Sequence, residues 1–237
     1  MGGVGHVGRR RRGGGRPLTP RAPLPHPSPP EGRAPRWPDP RDEAWLERWF
    51  ADGSGLWDLL ALLFYLPVIL GSLLYLFQVA GGAYGVRERL LGDPERFGAQ
   101  AGVGVALGLG LVGLSRLGEL SGPGARARDL LIQHMGHVTW VGLALVPVVS
   151  ALGEELLFRG ILQPLTSLYV AAILFAAAHL PFRATLWPWT LQALLHGLVF
   201  GALMLPDDSA LLTPIAAHAT FNGVQLLRWK LRRARAG

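Results

Sequence analysis

Residues 138–160 read VTWVGLALVPVVSALGEELLFRG. Sixteen apolar or small positions lead, without one charge, into two adjacent carboxylates, Glu154 and Glu155, and an arginine, Arg159. A run of this length and character is a membrane-spanning helix candidate. Ionised groups are expensive at membrane depth and mark function when they occur there. On a helix Glu155 and Arg159 are four positions apart and share a face, acid before base, the favourable order for pairing. Glu154 is turned about 100° away from Glu155 and need not share that arginine. It is the freer carboxylate and a general-base candidate. The bland reading of the same three residues is a charge cluster in the headgroup region.

Working outward, the same character recurs. Half of the 237 residues are hydrophobic and only 16% are charged. Soluble domains carry about 25% charged residues. Here the apolar residues are gathered in blocks close to the length that crosses the hydrocarbon core. Six spanning candidates emerge, at about 59–80, 100–117, 138–158, 168–180, 189–205 and 211–227. The fold class expected is all-α: a polytopic transmembrane helix bundle of about six spans. Pro67 marks a kink in the first. The Gly- and Ala-rich second suits close helix packing.

Residues 1–40 are rich in Gly, Pro and Arg, with little to bury, and read as a disordered tail. After it, Trp45, Leu46, Trp49 and Phe50 form a stripe at helical spacing. That stripe suits a helix lying in the membrane interface or one packed on the bundle. Three regions follow: the tail (1–40), the interfacial helix with two spans (41–130), and a four-span core (131–230).

The net charge is +7. A basic chain invites a nucleic-acid reading, but the arginines cluster at the two ends, beside apolar segments. The positive-inside rule accounts for them, with the bilayer as partner and no nucleic acid. Six spans put both basic termini on one side, in the cytoplasm, together with the loop carrying Arg116, Arg126 and Arg128. The expected location is the cell membrane, multi-pass. The absence of cysteine excludes a disulfide framework and thiolate metal sites.

The later spans hold further polar residues. His179 closes FAAAH one turn after Phe175; His196 lies in LLHGLVFG; His218 and Asn222 are one turn apart in HATFN. His179 alone suits a helix-end histidine reaching the interface, and His196 an interhelical hydrogen bond. His134 and His137, in HMGH, read as interfacial loop residues. His218 and Asn222 point the same way from an apolar helix, which a surface role does not explain. One Glu, two His and one Asn on separate helices are the inventory for activating a water and stabilising an oxyanion. Glu154, His179 and His218 are equally an inventory of three metal ligands. No HEXXH, no GxSxG and no glycine-rich phosphate loop is present.

The ordered set GEELLFRGILQ, FAAAH, HGLVFG and AHATFN resembles the CPBP family, the CAAX prenyl protease 2-like and bacteriocin-processing (Abi) membrane proteins, over roughly 135–228. The resemblance implies an intramembrane endopeptidase, a hydrolase of metallo- or glutamate type acting on a membrane-associated protein or peptide. Carried over by motif, Glu154 activates water and His179 helps hold it. His218 and Asn222 bind the developing oxyanion, with Glu155 and Arg159 in support. A divalent metal such as zinc on Glu154, His179 and His218 and a metal-free Glu–His site both suit this set. The alternative is a non-catalytic membrane immunity or partner-binding protein on the same scaffold. A small transporter using these residues as an ion relay is a further reading, against which stands the absence of an internal repeat.

Overall fold

The structure, a computed structural model, describes residues 2–3, 54–135, 137–180, 183–206 and 209–236. The rest of the tail and the Trp45–Phe50 stripe lie outside the described residues. The described chain is helical. Its helices are α1 (Ser54–Val79), α2 (Ala83–Leu91), α3 (Phe97–Gly118), α4 (Gly122–Met135), α5 (Trp140–Glu155), α6 (Leu168–Ala178), α7 (Trp187–Ala202) and α8 (Leu212–Ala236). α5 runs on without a break through a π-helical turn, Leu156–Leu162, and a last α-helical turn, Gln163–Leu165.

All six apolar segments form helices. Among the described residues three stretches are long and apolar enough to cross a membrane: Gly55–Val79, Ala83–Gly118 and Trp140–Leu165. α6, α7 and α8 have 11, 16 and 25 residues. α8 continues past the expected end at 227 into the basic terminus. Pro67 lies within α1 without interrupting it. Leu63, Phe64, Leu66, Leu70 and Leu74 are exposed along α1, an apolar surface that suits contact with lipid. The chain is a membrane protein.

The loop expected between the second and third spans is helical instead: residues 122–135, with Arg126, Arg128 and His134, form α4. RERLLG, between the first and second spans, likewise lies largely in α2. Their charges hid them from an apolar-run reading. α4 buries Ala127 and Leu131 at spacing four, and Leu131 packs with Leu226 and Trp229 of α8.

Two features seat the helices that carry the unusual residues. The first is a buried carboxylate on α1. Asp58 accepts from Thr139 Oγ1 (2.5 Å) and from the Thr139 backbone N–H (3.3 Å), at the start of α5. Thr139 itself caps α5 by accepting from the Gly142 N–H (2.9 Å). A carboxylate at a helix N-terminus is favourable. This contact sets α1 alongside α5, and Tyr65, two turns further along α1, meets the far end of α5. The second feature is the close approach of α3 and α8. A Cβ on Gly104 would stand 2.5 Å from the Thr213 carbonyl oxygen, and one on Gly108 would stand 2.4 Å from that of Ala217. These glycines let the backbones touch, which holds His218 at a fixed depth. Leu111, Val112, Phe200, Ala217 and Phe221 then close the core between α3, α7 and α8.

Gly108→Ala is therefore expected to lower the thermal stability of the detergent-purified protein by about 1–3 kcal/mol, the usual cost of overpacking. Gly110→Ala, where an added Cβ meets nothing within 4 Å, is expected to change it little.

Candidate active site

The two adjacent glutamates are held in different ways. Glu155 has no solvent exposure. Its Oε1 lies 2.8 Å from His218 Nδ1 and its Oε2 lies 3.1 Å from Arg159 Nε. Oε1 is thus hydrogen-bonded, and Oε2 is ion-paired with Arg159 without a hydrogen bond of its own among the described residues. Arg159 is equally buried, 1% exposed. It donates to the Gly197 carbonyl (3.2 Å) and, at 3.5 Å, to that of His196. The guanidinium carbon stands 4.6 Å from the centre of the Phe175 ring, within the range of a cation–π contact. The i,i+4 pairing read from the sequence is present. It forms across the entry to the π-helical turn, a form found mostly as single turns and often at functional sites.

Glu154 is placed otherwise. Its Oε1 accepts from the Tyr65 hydroxyl at 2.5 Å. Its Oε2 is buried, has no hydrogen-bond partner among the described residues, and lies 3.8 Å from both His179 Nε2 and His218 Nε2. The two histidines approach from different helices, His179 from the end of α6 and His218 from α8. Their other ring nitrogens fix their tautomers. His179 Nδ1 lies 2.8 Å from the Phe175 carbonyl oxygen; a carbonyl only accepts, so Nδ1 carries the hydrogen. His218 Nδ1 faces Glu155 Oε1 at 2.8 Å, and with the carboxylate oxygen accepting it too donates. In the neutral rings both Nε2 atoms therefore present lone pairs toward Glu154 Oε2.

Three aromatic contacts fix the rings. His179 sits 4.6 Å from the Phe175 centroid and edge-on to Trp189 at 5.6 Å. His218 stacks on Phe200 at 5.3 Å. Asn222, one turn beyond His218, donates from Nδ2 to Ser150 Oγ at 3.2 Å. Glu154, His179, His218 and Asn222 all line one cavity of about 940 Å³, together with Tyr65 and Ser150.

The six residues singled out by the sequence are therefore gathered at one place. His196 is beside it, but not as an interhelical hydrogen-bonder. Its Nε2 has no partner among the described residues, and its ring packs on Phe200 and Phe221. Tyr65 and Ser150 were not singled out. A tyrosine in an apolar helix and a serine before a small residue give no signal until α1 and α8 are known to flank α5. Gly153 supplies part of the reason Tyr65 reaches its place: a Cβ there would stand 3.0 Å from Tyr65 Cδ1.

The donor set fits a divalent ion in kind: one carboxylate oxygen and two imidazole nitrogens, each imidazole held by an acceptor at its other nitrogen, the usual second layer around a ligand histidine. It is not drawn together as a cage. Among the described residues no group of three or more His, Asp or Glu side chains is arranged to hold an ion.

Residues 136–224 match the family model of the Rce1-like proteins, described as type II CAAX prenyl endopeptidases. The resemblance read from the motifs thus holds over the segment that carries α5 to the first half of α8, and the likeness is of that segment, less than half of the chain, to CAAX-protease-type membrane endopeptidases. No curated protein and no solved structure matches the chain. Tyr65 and the whole of α1 to α4 lie outside the matched residues.

Removing one partner from a buried ion pair leaves an uncompensated charge and costs about 3–5 kcal/mol. Arg159→Met is expected to destabilise the protein by that order in chemical unfolding, and Arg159→Met in an Glu155→Gln background by clearly less than the two single changes added.

Proposed function

We propose that the protein is an intramembrane endopeptidase that hydrolyses a peptide bond of a membrane-associated protein or peptide, with water activated by Glu154. The observation that carries the reading is the convergence of Glu154 Oε2 with His179 Nε2 and His218 Nε2, each at 3.8 Å, inside a cavity. A water among these three atoms has acceptors for its hydrogens. Its oxygen is then free to meet a carbonyl carbon.

Glu154 takes a proton from water as the oxygen attacks the scissile carbonyl carbon. The carbonyl oxygen becomes an oxyanion, for which Asn222 Nδ2 is a donor on hand. His218 Nε2 stands beside it, 3.8 Å from Glu154 Oε2, and joins as a second donor when it carries a hydrogen. The proton held by Glu154 passes to the leaving nitrogen, the C–N bond breaks, and a carboxylic acid and an amine result, the acid's proton then passing to the amine. Tyr65 holds Oε1 throughout, so that Oε2 is the working oxygen. His179 receives a hydrogen bond from the water, its ring fixed by the Phe175 carbonyl. Should a divalent ion take part, Glu154, His179 and His218 would hold it, and it would polarise the carbonyl and acidify the water.

The division of the adjacent pair follows from their surroundings. Glu155 spends both oxygens on His218 and Arg159. That favours Glu154 as the base and Glu155 as the group that orients His218. A membrane protein with both termini in the cytoplasm remains the orientation we propose, on the basic ends alone.

The test is cleavage of a membrane-associated peptide library by the purified protein in lipid nanodiscs. Glu154→Ala is expected to lower the rate by about 10²–10⁴, and Asn222→Ala by about 10²–10³. The metal-free form of the reading expects cleavage to persist after exhaustive chelation; loss that zinc restores assigns an ion to the three ligands. Cleavage unchanged in Glu154→Ala defeats the proposal and favours a binding protein on the same scaffold.

A further inference from the structure

An asparagine can serve an oxyanion in only one of two orientations. Its carboxamide has nearly the same shape after a half-turn about χ2, a broad and roughly two-fold torsion. One orientation offers Nδ2 and its hydrogens at a given point. The other puts Oδ1 there, an acceptor that repels a developing negative charge. Shape does not decide between them; hydrogen bonds do. Asn222 Nδ2 donates to Ser150 Oγ at 3.2 Å. Neither its second hydrogen nor Oδ1 has a partner among the described residues. The amide is therefore held by a single contact.

The partner in that contact is itself constrained. Ser150 is buried on α5, and its hydroxyl carries one hydrogen. That hydrogen goes to the Pro147 carbonyl, 3.3 Å away. Oγ is left as an acceptor, and an acceptor selects Nδ2 over Oδ1. The backbones bring the two residues together: Pro147 is buried, and a Cβ on Gly223, beside Asn222, would stand 3.7 Å from Pro147 Cβ. A serine bonded back to a carbonyl of its own helix has already satisfied its hydrogen. The second contact, to Asn222, adds something the hydroxyl does not need: it decides which way a side chain of another helix faces.

We propose that Ser150 is a positioning residue for the reaction. Its hydroxyl, committed to Pro147, holds the Asn222 carboxamide with Nδ2 in place, so that the second Nδ2 hydrogen is left for the oxyanion. Ser150 acts through Asn222. Its role rests on Asn222 serving the oxyanion of the proposed hydrolysis, and is independent of which glutamate is the base.

Two measurements on the full chain in lipid nanodiscs test this. The first is a double-mutant cycle on peptide cleavage. Ser150→Ala is expected to lower kcat about two- to tenfold, the worth of one hydrogen bond, with KM unchanged. Added to Asn222→Ala, it is expected to cause no further loss, whereas a merely structural serine would cost the same in both backgrounds. The second measurement needs no turnover. Asn222 is the one asparagine among the 237 residues, so protein carrying ¹⁵N in asparagine side chains alone gives a single NH₂ pair in its NMR spectrum. Ser150→Ala is expected to move that pair. An equal loss in the Asn222→Ala background, a loss carried by KM, an unchanged kcat or an unmoved amide pair overturns the proposal. Normal cleavage by Glu154→Ala would instead defeat the base assignment and leave both measurements readable, so the two readings fail separately.

Discussion

The buried pair of Glu155 and Arg159 is the constraint on which the site depends. Taking two charges out of water is costly, and their attraction repays that only when the geometry is good and the remaining hydrogen-bonding positions are met. Here the arginine reaches backbone carbonyls of α7 and lies against Phe175 of α6. The glutamate reaches His218 of α8. One ion pair on the continuation of α5 thereby touches each of the three helices that follow it. It ties together the elements that bring His179 and His218 to a common point. A pair of this kind is a weak source of net stability, but a strong reason for those helices to adopt one arrangement.

The other consequence of the pair is the freedom of its neighbour. With Glu155 committed on both oxygens, Glu154 is left to Tyr65 on one side and to the cavity on the other. The contact with Tyr65 depends on α1 lying where Asp58 and the start of α5 put it. A carboxylate near one end of the bundle thus positions a hydroxyl two turns away, which in turn decides which oxygen of Glu154 faces the histidines. Small residues complete the arrangement. Gly142 leaves room for Asp58, Gly153 for Tyr65, and Gly104 and Gly108 for α8.

Much of this was legible in the chain. Apolar blocks gave the helices, and the EExxxR, FxxxH and HxxxN spacings gave residues on shared helical faces. Glu155 and Arg159 follow from i,i+4 geometry alone. What was not legible came from two sources. α2 and α4 carry enough charge to read as loops, although Ala127 and Leu131 repeat at helical spacing. Contacts between distant helices leave no local trace either: Tyr65 with Glu154, and Ser150 with Asn222. The π-helical turn at Leu156–Leu162 belongs to the same class, because nothing in LLFRGIL distinguishes it from an ordinary helix.

The central claim is that two adjacent glutamates divide structure and chemistry between them. It is tested most directly by melting and assaying Glu154→Gln and Glu155→Gln side by side in lipid nanodiscs. The account predicts that Glu154→Gln melts with the parent protein but does not cleave peptide, whereas Glu155→Gln melts at a clearly lower temperature. A Glu154→Gln protein that cleaves normally, or a Glu155→Gln protein that melts with the parent, would contradict it.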